Sequence, residues 1–147
     1  MNFAQRVKTV SMLNKIKLYT VAEAFGTSPA TFNVRLQNGK FKLEEQRRIA
    51  KLLDCEIMIG FKFINGSIAI GNNAREMIDE AFEIYKKLNG TKMNTTVLAH
   101  TLNRTQQTLS KKILNDKLTE EEYKRIANSL DCEYINHFIL NDGSVIS

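Results

Sequence analysis

An internal duplication is the feature of this sequence that most restricts its fold. A shift of 77 residues aligns residues 15–70 with residues 92–147 without a gap. The best match sets FKLEEQRRIAKLLDCE (residues 41–56) against LTEEEYKRIANSLDCE (residues 118–133). Repetition on this scale predicts two copies of one supersecondary unit. We expect copy 1 at residues 1–72 and copy 2 at residues 73–147, divided at a Gly-Asn-Asn turn signal.

Each copy has the pattern of four short helices followed by a β-hairpin. In the first helix, Phe3, Val7 and Val10 recur at the i, i+4 and i+7 spacing of a buried helical face. After each LDCE the apolar period becomes strand-like, and the segments at residues 65–66 and 141–143 are hairpin turn signals. The predicted class is mostly α with a small β part (α+β).

The predicted hairpins need a partner. Both faces of the strand at residues 57–64 are apolar, and an isolated two-stranded hairpin is marginal in water. We expect the two hairpins to pair in one four-stranded sheet, which would make the chain a single-chain pseudo-dimer. The alternative is that hairpin edges pair between two chains, giving a homodimer.

Residues 95–115 predict two short helices joined by a tight turn. Asn103 occupies the turn, because Asn tolerates the left-handed conformation better than other side chains. Thr105 is the expected N-cap of the second helix, and Leu109 and Ile113 face its core at i, i+4 spacing. The side chains then available to a partner are polar or basic: Gln106, Gln107, Thr108, Ser110, Lys111 and Lys112. Amides suit adenine edges and lysines suit phosphates or guanine, so the expected partner is the DNA major groove.

Both copies resemble the helix-turn-helix of the lambdoid phage repressors (Cro/C1-type, or XRE-type). TVAEAFGTSPATFNVRLQNGKF in copy 1 carries the motif's turn residue at Gly26, which corresponds to Asn103 in copy 2. The NRTQQTL string is similar to the Thr-Gln-Gln start of a repressor recognition helix. The resemblance implies that Gln106 and Gln107 touch base edges and that Thr105 touches a phosphate or a base. It also implies a sequence-specific double-stranded DNA-binding transcriptional regulator of the repressor type.

The expected DNA-contacting residues surround the two predicted recognition helices. In copy 2 they are Arg104, Thr105, Gln106, Gln107, Thr108, Ser110, Lys111, Asn115 and Lys117. In copy 1 they are Ser28, Ala30, Thr31, Asn33, Arg35 and Lys40. Copy 1 has Pro29-Ala30 where copy 2 has Gln106-Gln107, so the expected operator is asymmetric. Its two half-sites should lie about one helical turn apart, roughly 34 Å.

The charge distribution agrees with a DNA partner. The formal net charge is +5 and the pI is near 9.2, which permits nucleic-acid binding. Copy 1 has 11 basic and 5 acidic residues, whereas copy 2 has 10 and 11. Even so, residues 95–115 contain three basic residues and no acidic residue. The expected recognition face is therefore positive in both copies.

Catalytic and metal-binding motifs are missing from the sequence. Cys55 and Cys132 occupy equivalent places and have no His or Cys at ligand spacing. We therefore expect no enzyme activity, no metal and no cofactor. The N-terminus has no apolar segment of the signal-peptide type, and residues 57–70 are too short an apolar run to span a bilayer. The expected location is cytoplasmic, with no membrane partner.

A second function remains open from the sequence. The apolar hairpins and the acidic segments flanking the copy 2 recognition helix would also suit a protein partner. In that case the chain would be a phage or mobile-element interaction module, such as an inhibitor of a host defence nuclease, with or without DNA binding at its own promoter.

Overall fold

A computed structural model describes all 147 residues as eight helices and four short strands. The elements are α1 (Phe3–Leu13), α2 (Leu18–Phe25), α3 (Pro29–Asn38), α4 (Leu43–Leu52), β1 (Glu56–Lys62), β2 (Ile68–Ala69), α5 (Ala74–Asn89), α6 (Thr95–Thr101), α7 (Gln106–Leu114), α8 (Glu120–Ser129), β3 (Glu133–Ile139) and β4 (Val145–Ile146). Four helices followed by a hairpin thus occur twice along the chain. The predicted mostly helical α+β class is confirmed. None of the helices combines the length and the apolar character needed to cross a membrane.

The four strands form one sheet in the order β2-β1-β3-β4. Each hairpin is antiparallel, with Phe61 opposite Ala69 in the first and Phe138 opposite Ile146 in the second. The two pairs are equivalent, because Phe138 and Ile146 lie 77 positions after Phe61 and Ala69 in the sequence. The predicted four-stranded sheet is confirmed.

The chain forms two compact units whose bounds differ from those of the sequence copies. Unit 1 comprises Met1–Met58 and Asn136–Ser147, and unit 2 comprises Ile59–Ile135. Unit 1 therefore combines the helices of copy 1 with most of the second hairpin, and unit 2 combines the helices of copy 2 with most of the first. The sequence copies divide the chain at residue 72, whereas the compact units divide it within the two hairpins.

The core of unit 1 is built around phenylalanines. Phe25 lies 5.6 Å from Phe41 and 5.8 Å from Phe32, measured between ring centroids. Phe3 of α1 lies 5.8 Å from Phe138 of β3, and strand β4 packs beside α1. Because Phe25 and Phe32 belong to α2 and α3, this cluster holds the predicted helix-turn-helix of copy 1 in place.

Unit 2 has a more aliphatic core with an aromatic stack at one side. Leu98 of α6 and Leu109 of α7 are fully buried. Tyr123 of α8 stacks on Tyr134, with 4.8 Å between ring centroids and 5° between planes. Phe61 of β1 lies 6.1 Å from Tyr123, and strand β2 packs beside α5. The second helix-turn-helix is therefore fixed by the same kinds of elements as the first.

Candidate nucleic-acid interface

The turns that precede α3 and α7 have the same backbone path. Gly26 has φ +96° and Asn103 has φ +56°, so both adopt the left-handed conformation that favours Gly and Asn. The N–H of Thr27 donates to the carbonyl of Ala22 at 3.0 Å, and the N–H of Arg104 donates to that of Ala99 at 2.9 Å. These turns join α2 to α3 and α6 to α7.

Helices α3 and α7 both begin with a hydroxyl cap. The Ser28 Oγ accepts a hydrogen bond from the Thr31 N–H at 3.1 Å, and the Thr105 Oγ1 accepts one from the Thr108 N–H at 3.2 Å. The hydroxyls in each pair also bond to each other, at 2.9 Å and 2.7 Å respectively. These four predicted site residues therefore fix the helix start, and all four are exposed at that end of the helix.

Helix α7 presents Gln107 and Lys111 on the side opposite its core, and the exposed Leu114 follows them in its last turn. Leu109 and Ile113 are buried, whereas Gln107 and Lys111 are exposed. Gln107 and Lys111 are four residues apart and point away from the buried pair, since each residue turns about 100° around the axis. They form the outward stripe of α7. Gln106 is also exposed, and its Nε2 donates to the Ser110 Oγ at 3.2 Å.

Predicted contacts at the end of α7 lie in the open as well. Asn115 is the C-cap residue and is exposed. Lys117 follows in the loop before α8 and is exposed. Both can reach a partner that lies along the helix without any rearrangement of the core.

Helix α3 has the same buried side and a different outward stripe. Phe32 and Leu36 are buried, and the outward stripe consists of Ala30 and Val34. Thr31 and Asn33, which were predicted to contact DNA, are exposed beside that stripe. Lys40 is exposed just beyond the helix. Val34 was not among the predicted site residues, although the 77-residue shift aligns it with Lys111.

Arg35 is engaged within unit 1. Its Nη2 lies 3.0 Å and 2.9 Å from the two carboxylate oxygens of Glu45 and donates to the Lys40 carbonyl at 3.0 Å. Its guanidinium carbon is 4.4 Å from the centroid of the Phe41 ring. The predicted role of Arg35 in DNA binding would require these contacts to break.

Unit 2 has an ion pair at the equivalent place. The Lys112 Nζ lies 2.8 Å from Glu122 Oε2, and the Arg104 guanidinium lies 3.6 Å from the same oxygen. Arg104 is half-buried, so this predicted site residue sits beside Glu122 rather than on the outward stripe. Helices α3 and α7 are thus each linked through their last turn to the helix that follows.

The carboxylates of these pairs are held in their charged form. Burial acts to raise the pKa of Glu122, but hydrogen bonds from Lys112 and from the Thr119 N–H outweigh it and lower the pKa below its ordinary value. Burial acts in the same direction on the pKa of Glu45, and the Lys42 N–H and Arg35 outweigh it there. Both carboxylates are therefore ionised at neutral pH, and both ion pairs are present.

A third equivalent contact supports the helix before each turn. Arg48 donates to the Phe25 carbonyl at 3.4 Å, and Arg125 donates to the Leu102 carbonyl at 3.1 Å. These arginines satisfy backbone groups left open at the ends of α2 and α6. The donors of the two bonds correspond to each other under the 77-residue shift, and so do the acceptors.

The cysteines and the other side chains that could bind metal lie apart from one another. No group of three or more His, Cys, Asp or Glu side chains is placed to hold a metal ion. Both cysteines are free thiols. Burial and the neighbouring Asp54 raise the pKa of Cys55 to about 11, and burial and Asp131 raise that of Cys132 to about 12. Both are protonated at neutral pH and behave as small apolar residues.

Helices α3 and α7 thus share a capped start, a buried side and an ion-paired last turn, and they differ in their outward stripes. Copy 2 offers an amide and an ammonium where copy 1 offers two apolar side chains. No family model matches the chain, and no curated protein or solved structure matches it either.

Proposed function

We propose that this chain is a sequence-specific double-stranded DNA-binding protein of the repressor type, in which α3 and α7 are the recognition helices. The observation that carries the proposal is the outward stripe of α7. Gln107 and Lys111 are exposed on a helix whose core side and both ends are fixed, within a segment that lacks acidic residues. An amide and an ammonium are the groups that read adenine and guanine edges in the major groove.

Contacts to the phosphate backbone would come from the ends of the helices. Lys117 and Asn115 follow α7, and Lys40 follows α3, all of them exposed. Basic and amide side chains in such places orient a protein on the duplex without carrying sequence information. Gln106 and Gln107 would then provide most of the direct readout in the half-site of α7.

We infer that the chain arose by tandem duplication and acts as a single-chain pseudo-dimer. The inference is supported by contacts of copy 1 that are repeated in copy 2 at positions 77 residues further along the chain. One example is the ion pair of Arg35 with Glu45, which corresponds to that of Lys112 with Glu122. It is also supported by the make-up of the compact units, each of which takes most of its hairpin from the other copy. Because α3 and α7 carry different outward stripes, the operator would be asymmetric.

Salt-dependent binding to random-sequence duplex DNA tests the proposal. Log affinity should fall linearly with log salt, at about −0.9 per phosphate contact, with a slope equivalent to several phosphates. Lys117→Ala should lower the slope by about one contact, and Glu121→Ala, which removes an exposed charge from α8, provides the matched control. Absence of binding at low salt would overturn the proposal.

A second function is favoured by one observation in unit 2. Three isoleucines of the first hairpin are exposed, and Ile64 is the extreme case at 94%. The other two are Ile68 and Ile70. Exposed apolar clusters of this kind mark protein-binding surfaces. The chain would then inhibit a protein such as a host defence nuclease.

Ile64→Asn separates the two functions, because Asn141 occupies the equivalent place in the second hairpin. The change should leave duplex binding unaltered if DNA is the target. If the hairpin binds a nuclease, the variant should lose inhibition of that enzyme while it keeps its fold, as measured by circular dichroism.

A further inference from the structure

The two outward stripes differ in chemical character at the same two positions. In α3 the stripe is Ala30 and Val34, and Val34 is 53% exposed. In α7 the corresponding residues are Gln107 and Lys111. In both helices the stripe lies opposite a buried pair of apolar residues, so these positions are the ones a partner along the helix would meet first.

Polar neighbours do not replace the missing hydrogen-bonding groups of the α3 stripe. Arg35 is bound to Glu45 and to the Lys40 carbonyl, as described above. Gln37 is exposed but lies in the last turn, whereas helix-turn-helix proteins contact base edges with residues near the start of the recognition helix. Thr31 and Asn33, near the start of α3, are exposed beside the stripe and not on it, and the Thr31 hydroxyl accepts a hydrogen bond from the Ser28 hydroxyl. The stripe itself, Ala30 and Val34, is therefore apolar, with Asn33 as a polar neighbour.

An apolar side chain makes a favourable contact with one feature of a base edge, a methyl group. In the major groove, thymine presents a C5-methyl group, and Ala, Thr and other apolar contacts recognise it. We propose that Ala30 and Val34 make α3 a reader of thymine methyl groups, so that its half-site is specified by apolar contact and the half-site of α7 by hydrogen bonds. This inference rests on the DNA-binding function proposed above.

Deoxyuridine provides a direct probe, because it keeps the pairing edge and the O4 acceptor of thymidine and lacks only the methyl group. The duplex would be one selected by the full chain from a random library. Gln107→Ala identifies the half-site of α7 as the one whose base preference weakens, and the other half-site belongs to α3. Every dT is then replaced by dU in one half-site at a time.

The expected result is a loss of affinity of about fourfold for each contacted methyl group in the half-site of α3. The same replacement in the half-site of α7 should have little effect. If the Val34 side chain contacts the thymine methyl group, the two form a coupled pair. Val34→Ser removes one member of that pair, so replacing dT by dU should then cost the variant little affinity. Val34 is exposed, so the variant should fold, and Lys111→Ser provides the matched control in α7.

Two results would overturn the inference and leave DNA binding intact. One is an equal dU penalty in both half-sites, and the other is an unchanged penalty in Val34→Ser. Failure of the proposed function has a different signature, because a chain that selects no duplex from the library would refute both proposals at once.

Discussion

At the scale of single residues, the two glutamines at the start of α7 are not equivalent. Gln107 lies on the outward stripe, whereas the Gln106 side chain donates to Ser110 on its own helix. A base contact by Gln106 therefore competes with an existing hydrogen bond. Gln107 has no such competition from Ser110, and we expect it to carry more of the base discrimination.

Gln107→Ala should weaken binding to a selected site by about 1–3 kcal/mol and relax the preference at one base pair. Gln106→Ala should have a smaller effect, because part of its hydrogen bonding is internal. Titrations against the selected site and its single-base variants measure both. Equal affinities for wild type and Gln107→Ala would remove this residue from the readout.

At the scale of elements, α3 and α7 are each held at both ends. The hydroxyl cap fixes the start of the helix, and a carboxylate on the next helix, half-buried in Glu45 and buried in Glu122, pairs with a cation in its last turn. In unit 2 the Glu122 side chain is only 9% exposed and also closes a capping box with Thr119. The charge of Glu122 therefore stabilises α8 and the position of α7 together.

Glu122→Gln should lower the free energy of unfolding by about 1–3 kcal/mol at pH 7, as expected for hydrogen bonds to a charged group. Because the folded pKa of Glu122 is lowered, its contribution is present above the unfolded value of about 4.3 and is lost as pH falls through the folded value. Urea unfolding at pH 7 and pH 3 measures the difference.

Glu121→Gln is the control for that experiment, because Glu121 is 83% exposed and 3.9 Å from Lys124. An exposed pair of this kind contributes little to stability, so this variant should resemble wild type at both pH values. If Glu122→Gln destabilised the protein equally at pH 3 and pH 7, its charge would not be the cause.

Local patterns predicted most elements, because they act over one or two turns of chain. The turns at Gly26 and Asn103 and the caps at Ser28 and Thr105 follow from residue type at a fixed spacing. The tie between Arg35 and Glu45 does not, since the two lie ten residues apart across a loop whose path periodicity does not specify. Spacing alone therefore predicts Arg35 on the DNA surface, whereas the structure places its guanidinium against Glu45 and Phe41.

At the scale of the whole molecule, the sequence copies and the compact units divide the chain differently. Phe61 and Phe138 occupy equivalent places in the two hairpins, so their apolar pattern does not reveal which helices each hairpin will join. One polar pair does distinguish them. In unit 1, Asn136 of β3 donates to Gln46 of α4 at 2.8 Å, and both side chains are buried.

The residues aligned with Gln46 and Asn136 are Tyr123 and Ile59, and both belong to unit 2. A hairpin carrying Ile59 against α4 would leave the buried Gln46 Oε1 without its donor, at a cost of about 1–3 kcal/mol, although Gln46 Nε2 would keep its hydrogen bond to the Phe41 carbonyl. The pair therefore favours the observed membership of the units over the one expected from sequence order.

Asn136→Ile copies Ile59 into unit 1 and should destabilise the chain by about 1–3 kcal/mol, because it removes the partner of Gln46. Adding Gln46→Tyr copies both residues of unit 2 and should recover part of the loss if volume is accommodated. Thermal or urea unfolding of the single and double variants checks this. If Asn136→Ile left the free energy of unfolding unchanged, the pair would not determine which hairpin packs in unit 1.

A chain of residues 1–72 should not form a stable monomer. Its helices would lack Phe138, Leu140 and Ile146, which complete the core of unit 1 in the full chain. We expect no cooperative unfolding of a monomer at low concentration, with folding restored only where two copies exchange hairpins. Circular dichroism with analytical ultracentrifugation measures both. A stably folded monomer of residues 1–72 would contradict this account.

The central claim is that two unlike recognition helices in one chain read DNA. Selection of bound sequences from a random duplex library, with the full chain, tests it most directly. We expect an enriched asymmetric site with two dissimilar half-sites about 10 base pairs apart. No enrichment, or a perfect palindrome bound by one chain, would contradict it.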